Sequence, residues 1–203
     1  MILNRPLRTV ALLARDTGLA VLEDALLDNE KIELLGVYTH GRLTKAEGGG
    51  QRPELPLYRE ISEARGFPLT VLDLPEARRV QDYLREDLDV LVCLSWKFIL
   101  DRTVLDGLRV GGVNLHRGDL PKYAGLEPVR RAIEAGETRT AITAHKMVEE
   151  VDMGPEIARV WLDIPAKPPD ISNREHADTV KGHLLALYAP LTRLAIDAIC
   201  AGN

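Results

Sequence analysis

Three side chains that could together carry out acyl transfer lie between Asn114 and Asp152. Asn114 and His116 are two residues apart in an apolar run, so on a strand their side chains point to the same face. Asp152 follows a second apolar run, residues 141–148, and precedes a Gly-Pro loop. When an amine attacks a carbonyl, an amide and a protonated imidazole can stabilise the oxyanion, while a carboxylate orients the imidazole and handles a proton. We therefore predict that Asn114, His116 and Asp152 form a catalytic group.

Each of these three residues also has a purely structural interpretation. Asn114 could cap a strand, His116 could be a hydrogen-bonded loop histidine, and Asp152 could favour a turn. The five ordered blocks around them favour chemistry: Asn114-Leu115-His116, then LPKYAG at 120–125, AIEAG at 132–136, ITAH at 142–145 and VDMGP at 151–155. Together these blocks resemble the signature of the folate-dependent formyltransferases, which include glycinamide ribonucleotide, methionyl-tRNA and sugar N-formyltransferases and formyltetrahydrofolate deformylase.

The resemblance implies an enzyme that uses 10-formyltetrahydrofolate as formyl donor and a small-molecule amine as acceptor, without a covalent intermediate. It places the family's catalytic Asn, His and Asp on Asn114, His116 and Asp152. In the family, the loop at 95–100 and the loop before the catalytic Asp hold the folate head group. The implied donor-binding residues are Trp96, Phe98, Ile99, Leu100, Glu149, Glu150 and Val151.

An apolar and aromatic loop such as SWKFIL at 95–100 suits a flat heterocycle on its own chemistry, although Trp96 and Phe98 could equally be core residues. His145 ends the strand that leads to the Asp152 loop, so we predict that it supports Asp152 or contacts the substrate. Tyr123 and Gly125, in the loop after His116, are predicted to have the same supporting role. No metal site is predicted.

Composition is that of one ordinary domain, which we place at residues 1–203. The chain has 203 residues, 45% of them apolar and 28% charged. Its net charge of −5 and the absence of a basic block argue against a nucleic-acid partner. Cys93 and Cys200 lie far apart in apolar surroundings, which indicates reduced thiols. With no signal peptide and no run near membrane-spanning length, we expect a cytoplasmic protein that contacts no membrane. Its oligomeric state is left open.

Strand and helix patterns alternate along the chain, which predicts an α/β fold. Continuous apolar runs predict strands at 8–14, 32–39, 68–72, 88–94 and 110–115, with helices at 19–28, 57–65, 75–86, 101–108 and 126–135. This alternation predicts a single-domain, doubly wound, mostly parallel sheet, the Rossmann-like formyltransferase fold. Two more strands at 138–146 and 156–164 in a hairpin, and a C-terminal helical tail at 170–200 that Pro190 kinks, complete the prediction.

The sequence departs from the family pattern mainly in loops that shape the acceptor site. Arg117-Gly118-Asp119 replaces Pro-Ser-Leu, and Ala124 replaces an Arg. The first turn, residues 15–18, has a single glycine and so lacks the glycine-rich anion pocket that a ribonucleotide acceptor would need, and three glycines at 48–50 indicate a flexible loop. The length of the chain favours the single-domain branches over the methionyl-tRNA enzyme. The alternative functions are a formyltetrahydrofolate hydrolase or a non-catalytic folate-binding relative.

Overall fold

The structure is a computed structural model that describes residues 5–84 and 87–202. The chain divides into two compact units, Leu3–Val113 and Asn114–Asn203, called here the first and second units. Strand β5, Gly111–His116, begins in the first unit and ends in the second. Asn114, His116 and Asp152 therefore all belong to the second unit, and their geometry can be described within it.

Four parallel strands form the sheet of the first unit. They are β1 (Leu7–Leu13), β2 (Ile32–Thr39), β3 (Leu69–Val71) and β4 (Val90–Leu94), in the order β3-β2-β1-β4. In the register of these strands, Leu7 of β1 lies opposite Ile32 of β2, and Thr9 of β1 lies opposite Val90 of β4. Because the chain builds outward from β1 to β3 and then returns to place β4 beside β1, the strand order reverses between β1 and β4.

The helices of the first unit follow the sequence pattern with two corrections. Helix α1 spans Arg15–Val21 and continues as a π-helical turn over Leu22–Leu26, so it begins directly after β1 and residues 15–18 are not a loop. The reason is that Arg15 adopts a left-handed φ of 69°, which turns the chain within one residue. Helices α2 (Leu55–Arg65) and α3 (Arg102–Gly107) match their predicted positions.

The second correction concerns the helix predicted at 75–86. Its described part is a 3₁₀ segment, Glu76–Tyr83, interrupted at Arg79 by non-helical angles of φ −120° and ψ 39°. Residues 85 and 86 of that prediction lie outside the described residues. Short 3₁₀ turns are common where a connection is too brief for a stable α-helix.

The loop with three glycines has a defined conformation. A 3₁₀ turn at Lys45–Glu47 is closed by a capping box between Thr44 and Glu47. All three glycines that follow it, at 48–50, have positive φ, between 68° and 95°, which is the conformation glycine adopts without strain. The N–H of Leu43, which precedes the turn, donates to the Gly50 carbonyl at 2.9 Å. The glycines therefore fold this loop back on itself.

The second unit contains an antiparallel hairpin and three helices. Strand β6 (Arg139–Lys146) pairs with β7 (Glu156–Asp163), as predicted, and α4 spans Pro128–Glu134. The tail consists of α5 (Asn173–Leu184), a 3₁₀ turn at Leu185–Leu187 and α6 (Tyr188–Ala201). The 3₁₀ turn lies where Pro190, which has no N–H, cannot continue the α-helical ladder.

The prediction of a mostly parallel α/β fold with a C-terminal helical tail is confirmed. The tail is more apolar than the sequence-based expectation allowed. Asn173–Ala201 is long and apolar enough to cross a membrane, with a mean hydropathy of 1.5 over an 18-residue window. Since 44% of that window is buried inside the fold, as in a core helix, this is weak evidence for a membrane span.

Candidate active site

Asn114, His116 and Asp152 come together in the second unit. Asn114 and His116 lie at the end of β5, and Asp152 lies in the loop between β6 and β7. His116 Nδ1 is 3.1 Å from Asp152 Oδ2, and Asn114 Nδ2 donates to Asp152 Oδ1 at 3.3 Å. The side chains of His116 and Asp152 are each only 9% exposed, so little water weakens their contact. The sequence analysis had grouped these three from their residue types and from the family resemblance.

Both ring nitrogens of His116 face oxygen acceptors. Nδ1 faces the Asp152 carboxylate, and Nε2 lies 2.9 Å from the backbone carbonyl oxygen of Tyr123. A carbonyl and a carboxylate can only accept hydrogen bonds. His116 therefore has an acceptor within hydrogen-bonding distance of each ring nitrogen, and one of the two is the carboxylate of Asp152.

Asp152 is held in its charged form by its neighbours. Burial opposes its ionisation, but the hydrogen bond and positive charge of His116 and the Gly125 N–H, which donates to Oδ2 at 3.0 Å, outweigh burial. Together they keep the pKa of the Asp152 carboxyl well below its usual range. Asp152 also has a left-handed φ of 59°, which aims its carboxylate at these donors. A carboxylate with so low a pKa accepts hydrogen bonds far more readily than it accepts a proton.

His145 completes the polar cluster. Its Nδ1 lies 3.1 Å from the Lys146 carbonyl oxygen, so Nδ1 carries the hydrogen, and Nε2 accepts from Asn114 Nδ2 at 3.0 Å. His145 therefore holds the Asn114 amide in place. It lies 3.5 Å from Asp152 Oδ1, beyond a good hydrogen bond.

The N–H groups of this cluster all point to acceptors inside it. Asn114 Nδ2 serves His145 and Asp152, and His116 serves Asp152 and Tyr123. An oxyanion hole needs donors aimed at the reacting oxygen. A bound carbonyl must therefore take over a bond that the protein now makes internally, and the longest of these is the 3.3 Å bond from Asn114 Nδ2 to Asp152.

Tyr123 and Gly125 act on this cluster through their backbones. The Tyr123 carbonyl accepts from His116 and the Gly125 N–H donates to Asp152. The Tyr123 side chain is turned away, with its hydroxyl donating to Glu137 at 2.9 Å. Arg131, on α4, donates to the Ala124 carbonyl at 2.6 Å and thereby anchors the same loop.

The departures from the family pattern have structural partners. Asp119 forms an ion pair with Arg159 on β7, and Arg159 also donates to the Leu120 carbonyl at 2.6 Å. At Gly118, an added Cβ would lie 2.8 Å from His116 Nε2 and 3.0 Å from the Tyr123 carbonyl oxygen. The missing side chain therefore makes room for the bond between His116 and Tyr123. Sequence reasoning missed Arg159 on β7 and this role of Gly118, and the position of Gly118 in a departing loop was the available signal.

A side chain at Gly118 should loosen His116. Gly118→Ala would push the Tyr123 carbonyl away from Nε2, so we expect about a tenfold loss of turnover from the weakened hydrogen bond. ¹⁵N spectra of the histidine ring should show a changed chemical shift at Nε2 of His116, because its contact with the Tyr123 carbonyl is weakened. Gly182→Ala, a helical position where an added Cβ meets nothing within 4 Å, is the matched control. Unchanged His116 signals in Gly118→Ala would contradict the assignment.

The predicted donor-binding residues fall in both units. In the first unit, Trp96 stacks on His40 with ring centroids 4.2 Å apart, and Phe98 meets both rings edge-on. Ile99 is 73% exposed, whereas Leu100 is buried. The sequence pattern indicated no role for His40, but its ring contacts both Trp96 and Phe98.

In the second unit, Glu149, Glu150 and Val151 lie on the exposed loop that ends in Asp152. Val151 and Met153 are 59% and 60% exposed, so apolar side chains flank the carboxylate on both sides. Exposed apolar groups beside a charged group suit a flat, partly apolar ligand. Among the described residues, no group of three or more His, Cys, Asp or Glu side chains is arranged to hold a metal ion.

The family model described as "Formyl transferase" matches residues 60–182. The chain is similar to the methionyl-tRNA formyltransferase of Parvibaculum lavamentivorans, at 34% identity over 172 residues, which cover 84% of this chain and 53% of that protein. It is also similar to the methionyl-tRNA formyltransferase of Aromatoleum aromaticum, at 42% identity over 115 residues, which cover 57% of this chain and 34% of that protein. The chain thus spans about half the length, or less, of these curated relatives.

Solved structures show the same fold at low identity. Phosphoribosylglycinamide formyltransferase from Coxiella burnetii has a TM-score of 0.71 at 22% identity, covering 98% of this chain and 89% of that chain. The sequence relatives are methionyl-tRNA formyltransferases, the branch that the length of this chain disfavoured in the sequence analysis. The structural neighbour is a phosphoribosylglycinamide formyltransferase, from a branch that the length favoured. Similarity therefore does not identify the formyl acceptor. The family itself is better supported, because the residues matched by the family model make up more than half of the chain.

Proposed function

The chain belongs to the formyl transferase family, and we propose that it transfers a formyl group from 10-formyltetrahydrofolate to an amine of a small molecule. The observation that carries this proposal is the contact of the His116 imidazole with the Asp152 carboxylate at 3.1 Å, beside the Asn114 amide. This trio matches the family's catalytic Asn, His and Asp in type and order. Residues 1–203 are proposed to act as the catalytic domain.

Asn114, His116 and Asp152 are proposed to divide the work as follows. The donor supplies a formyl carbonyl, whose oxygen gains negative charge when an amine attacks. The positive charge of His116 stabilises that oxygen, and Asn114 Nδ2 turns from Asp152 to donate to it. Asp152 orients His116 and accepts a hydrogen bond from the amine or from a water that takes its proton. The bond between the formyl carbon and the folate nitrogen then breaks, and that nitrogen receives the proton as tetrahydrofolate leaves.

The apolar side chains that flank Asp152 support binding of the donor. Val151 and Met153 offer exposed apolar surface for the folate ring system beside the charged group. We propose donor-binding roles for Glu149, Glu150 and Val151 in the second unit and for Trp96, Phe98, Ile99 and Leu100 in the first. His145 is proposed to position Asn114, because its Nε2 accepts from the Asn114 amide at 3.0 Å.

A small-molecule acceptor is supported by charge. The net charge is −5 and the sequence has no basic block that would attract a nucleic acid, so a tRNA acceptor is not proposed for this chain. A cytoplasmic location is proposed because thiols outside a disulfide, such as that of the buried Cys93, are typical of reducing compartments.

Turnover of 10-formyltetrahydrofolate with and without candidate amines tests the proposal. We expect tetrahydrofolate release that requires an amine, and we expect saturating reduced folates to raise the melting temperature by mass action. At a folate concentration of about 100 times Kd, stabilisation should reach about 2.7 kcal/mol. Folate release without any amine would indicate the hydrolase, thermal stabilisation without turnover would indicate a non-catalytic binder, and no thermal shift would overturn the proposal.

A further inference from the structure

We propose that Arg159 of β7 is a positioning residue for His116. It holds the loop of residues 118–123, called here the carbonyl loop, so that the Tyr123 carbonyl stays in contact with His116 Nε2. Arg159, the loop and His116 all belong to the second unit. The proposal rests on the proposed function only for its effect on turnover, because the contact itself can be measured without any reaction.

Arg159 contacts two adjacent residues of the carbonyl loop at once. Its Nη1 donates to the Asp119 carboxylate, and its Nη2 donates to the Leu120 carbonyl at 2.6 Å. Because the guanidinium presents its donors in a fixed fork, the two contacts together set the position and the direction of the loop. The side chains of Arg159 and Asp119 are each only 19% exposed, so solvent screens their ion pair less than it screens a pair on the open surface.

The neighbouring strand adds a further contact on the same side of the loop. Thr143 of β6 lies directly opposite Arg159 in the register of the hairpin and is fully buried. Its hydroxyl donates to the Gly118 carbonyl at 2.7 Å. The hairpin therefore holds the carbonyl loop at three successive residues, 118–120, two of them through Arg159.

The contacts of Arg159 reach His116 through a short series of bonds. The Tyr123 N–H donates to the Asp119 carbonyl at 2.8 Å, and the Tyr123 carbonyl lies 2.9 Å from His116 Nε2. The position of Asp119 thus sets the position of Tyr123, whose carbonyl faces the imidazole. Since hydrogen bonds weaken steeply when they are misaligned, a displacement of Asp119 should weaken the contact at Nε2.

Arg159 also has contacts that serve only the hairpin. Glu156, on the same strand, forms an ion pair with it, and the guanidinium carbon lies 5.3 Å from the centre of the Trp161 ring. These contacts would stabilise β7 without affecting His116. Asp119 is different, because it stands in the Arg-Gly-Asp segment that replaces Pro-Ser-Leu of the family pattern. Arg159 therefore pairs with a carboxylate that the family pattern lacks at this position.

Replacing Arg159 in the full chain tests the proposal through the ring of His116 and through turnover. Arg159→Met removes both loop contacts, so we expect a changed ¹⁵N chemical shift at His116 Nε2 and unchanged shifts for His145. Turnover should fall about tenfold, the effect of one weakened hydrogen bond, while the KM of the donor changes little. Arg159→Lys keeps the charge opposite Asp119 but lacks the fork, so it should recover part of the lost turnover.

Arg139→Met is the matched control. Arg139 of β6 also lies over the Trp161 ring, with its guanidinium carbon 4.0 Å from the ring centre, and within the described part of the chain it makes no hydrogen bond to the carbonyl loop. Its replacement removes an arginine from the same aromatic ring, so it reports the effect of the hairpin alone. The His116 signal and turnover of this variant should equal those of the unchanged chain.

Asp119→Ala tests the same contact from the loop, and it decides the question if melting curves show that Arg159→Met does not fold. It should change the His116 Nε2 shift as well, and the double variant Asp119→Ala/Arg159→Met should lose less turnover than the product of the single losses. A lower melting temperature with an unchanged His116 signal would make Arg159 purely structural and overturn the proposal. A changed signal in a chain without formyl transfer would support the positioning role and count against the proposed function instead.

Discussion

Asp152→Asn is expected to lower turnover by about 10³-fold, within the range found for removal of a general acid or base. The carboxylate is the acceptor for His116 Nδ1 and for the Gly125 N–H, and it balances the imidazolium charge. An amide can keep one of these bonds through its oxygen, but it carries no charge, so His116 loses the carboxylate that orients it. Turnover at saturating donor and amine measures this loss.

Stability should respond to pH with a definite sign. The folded-state pKa of Asp152 lies below its unfolded value of about 3.9, so its stabilising effect is complete above that value and is lost as the pH falls toward the folded-state value. The difference in unfolding free energy between the unchanged chain and Asp152→Asn should therefore be constant near neutral pH and should shrink below about pH 4. Asp163→Asn, at the exposed end of β7, is the matched control. Undiminished turnover in Asp152→Asn would show that this carboxylate is not catalytic.

Asn114→Ala is expected to reduce turnover by about 10² to 10³-fold, the usual cost of removing one oxyanion donor. Donor affinity should change little, because the bond from Asn114 Nδ2 to the reacting oxygen strengthens only as that oxygen gains charge. The change also leaves His145 Nε2 without its donor, so part of the loss would come from a freed imidazole. Steady-state kinetics measure the turnover, and titration with the donor measures the donor affinity. Asn173→Ala, at the exposed start of α5, is the control.

The double variant Asn114→Ala/Asp152→Asn should lose much less than the product of the two single losses. Asn114 Nδ2 and Asp152 Oδ1 are bonded to each other at 3.3 Å, and residues that act as one unit are not additive. The same measurement can be made with His116→Ala, which should lose at least as much turnover as Asn114→Ala. Losses that multiply independently would mean that the three residues contact one another without acting together.

Local patterns in the sequence were sufficient for most of the elements. Apolar runs predicted the strands, as at Ile32–Thr39. Ser172 and Glu175 have the spacing of a capping box, and they form one at the start of α5. These features depend on residues a few positions apart, so their physics can be read without tertiary contacts. The start of α1 was placed too late because the left-handed conformation of Arg15 leaves no clear mark in the sequence.

The candidate site was predicted in its members and decided in its bonding by the fold. An Asn and a His two residues apart at a strand end, and an Asp in a later loop, could be paired through the family resemblance. Whether each nitrogen of His116 meets an acceptor, and whether Gly118 makes room for one of these contacts, depends on the folded positions of the Tyr123 carbonyl and of Asp152 in a later loop. The contact of Arg159 with Asp119 is of the same kind, since these two residues meet only after folding. Sequence determines which groups are available, and packing determines which donor faces which acceptor, because a hydrogen bond requires alignment within a few tenths of an ångström.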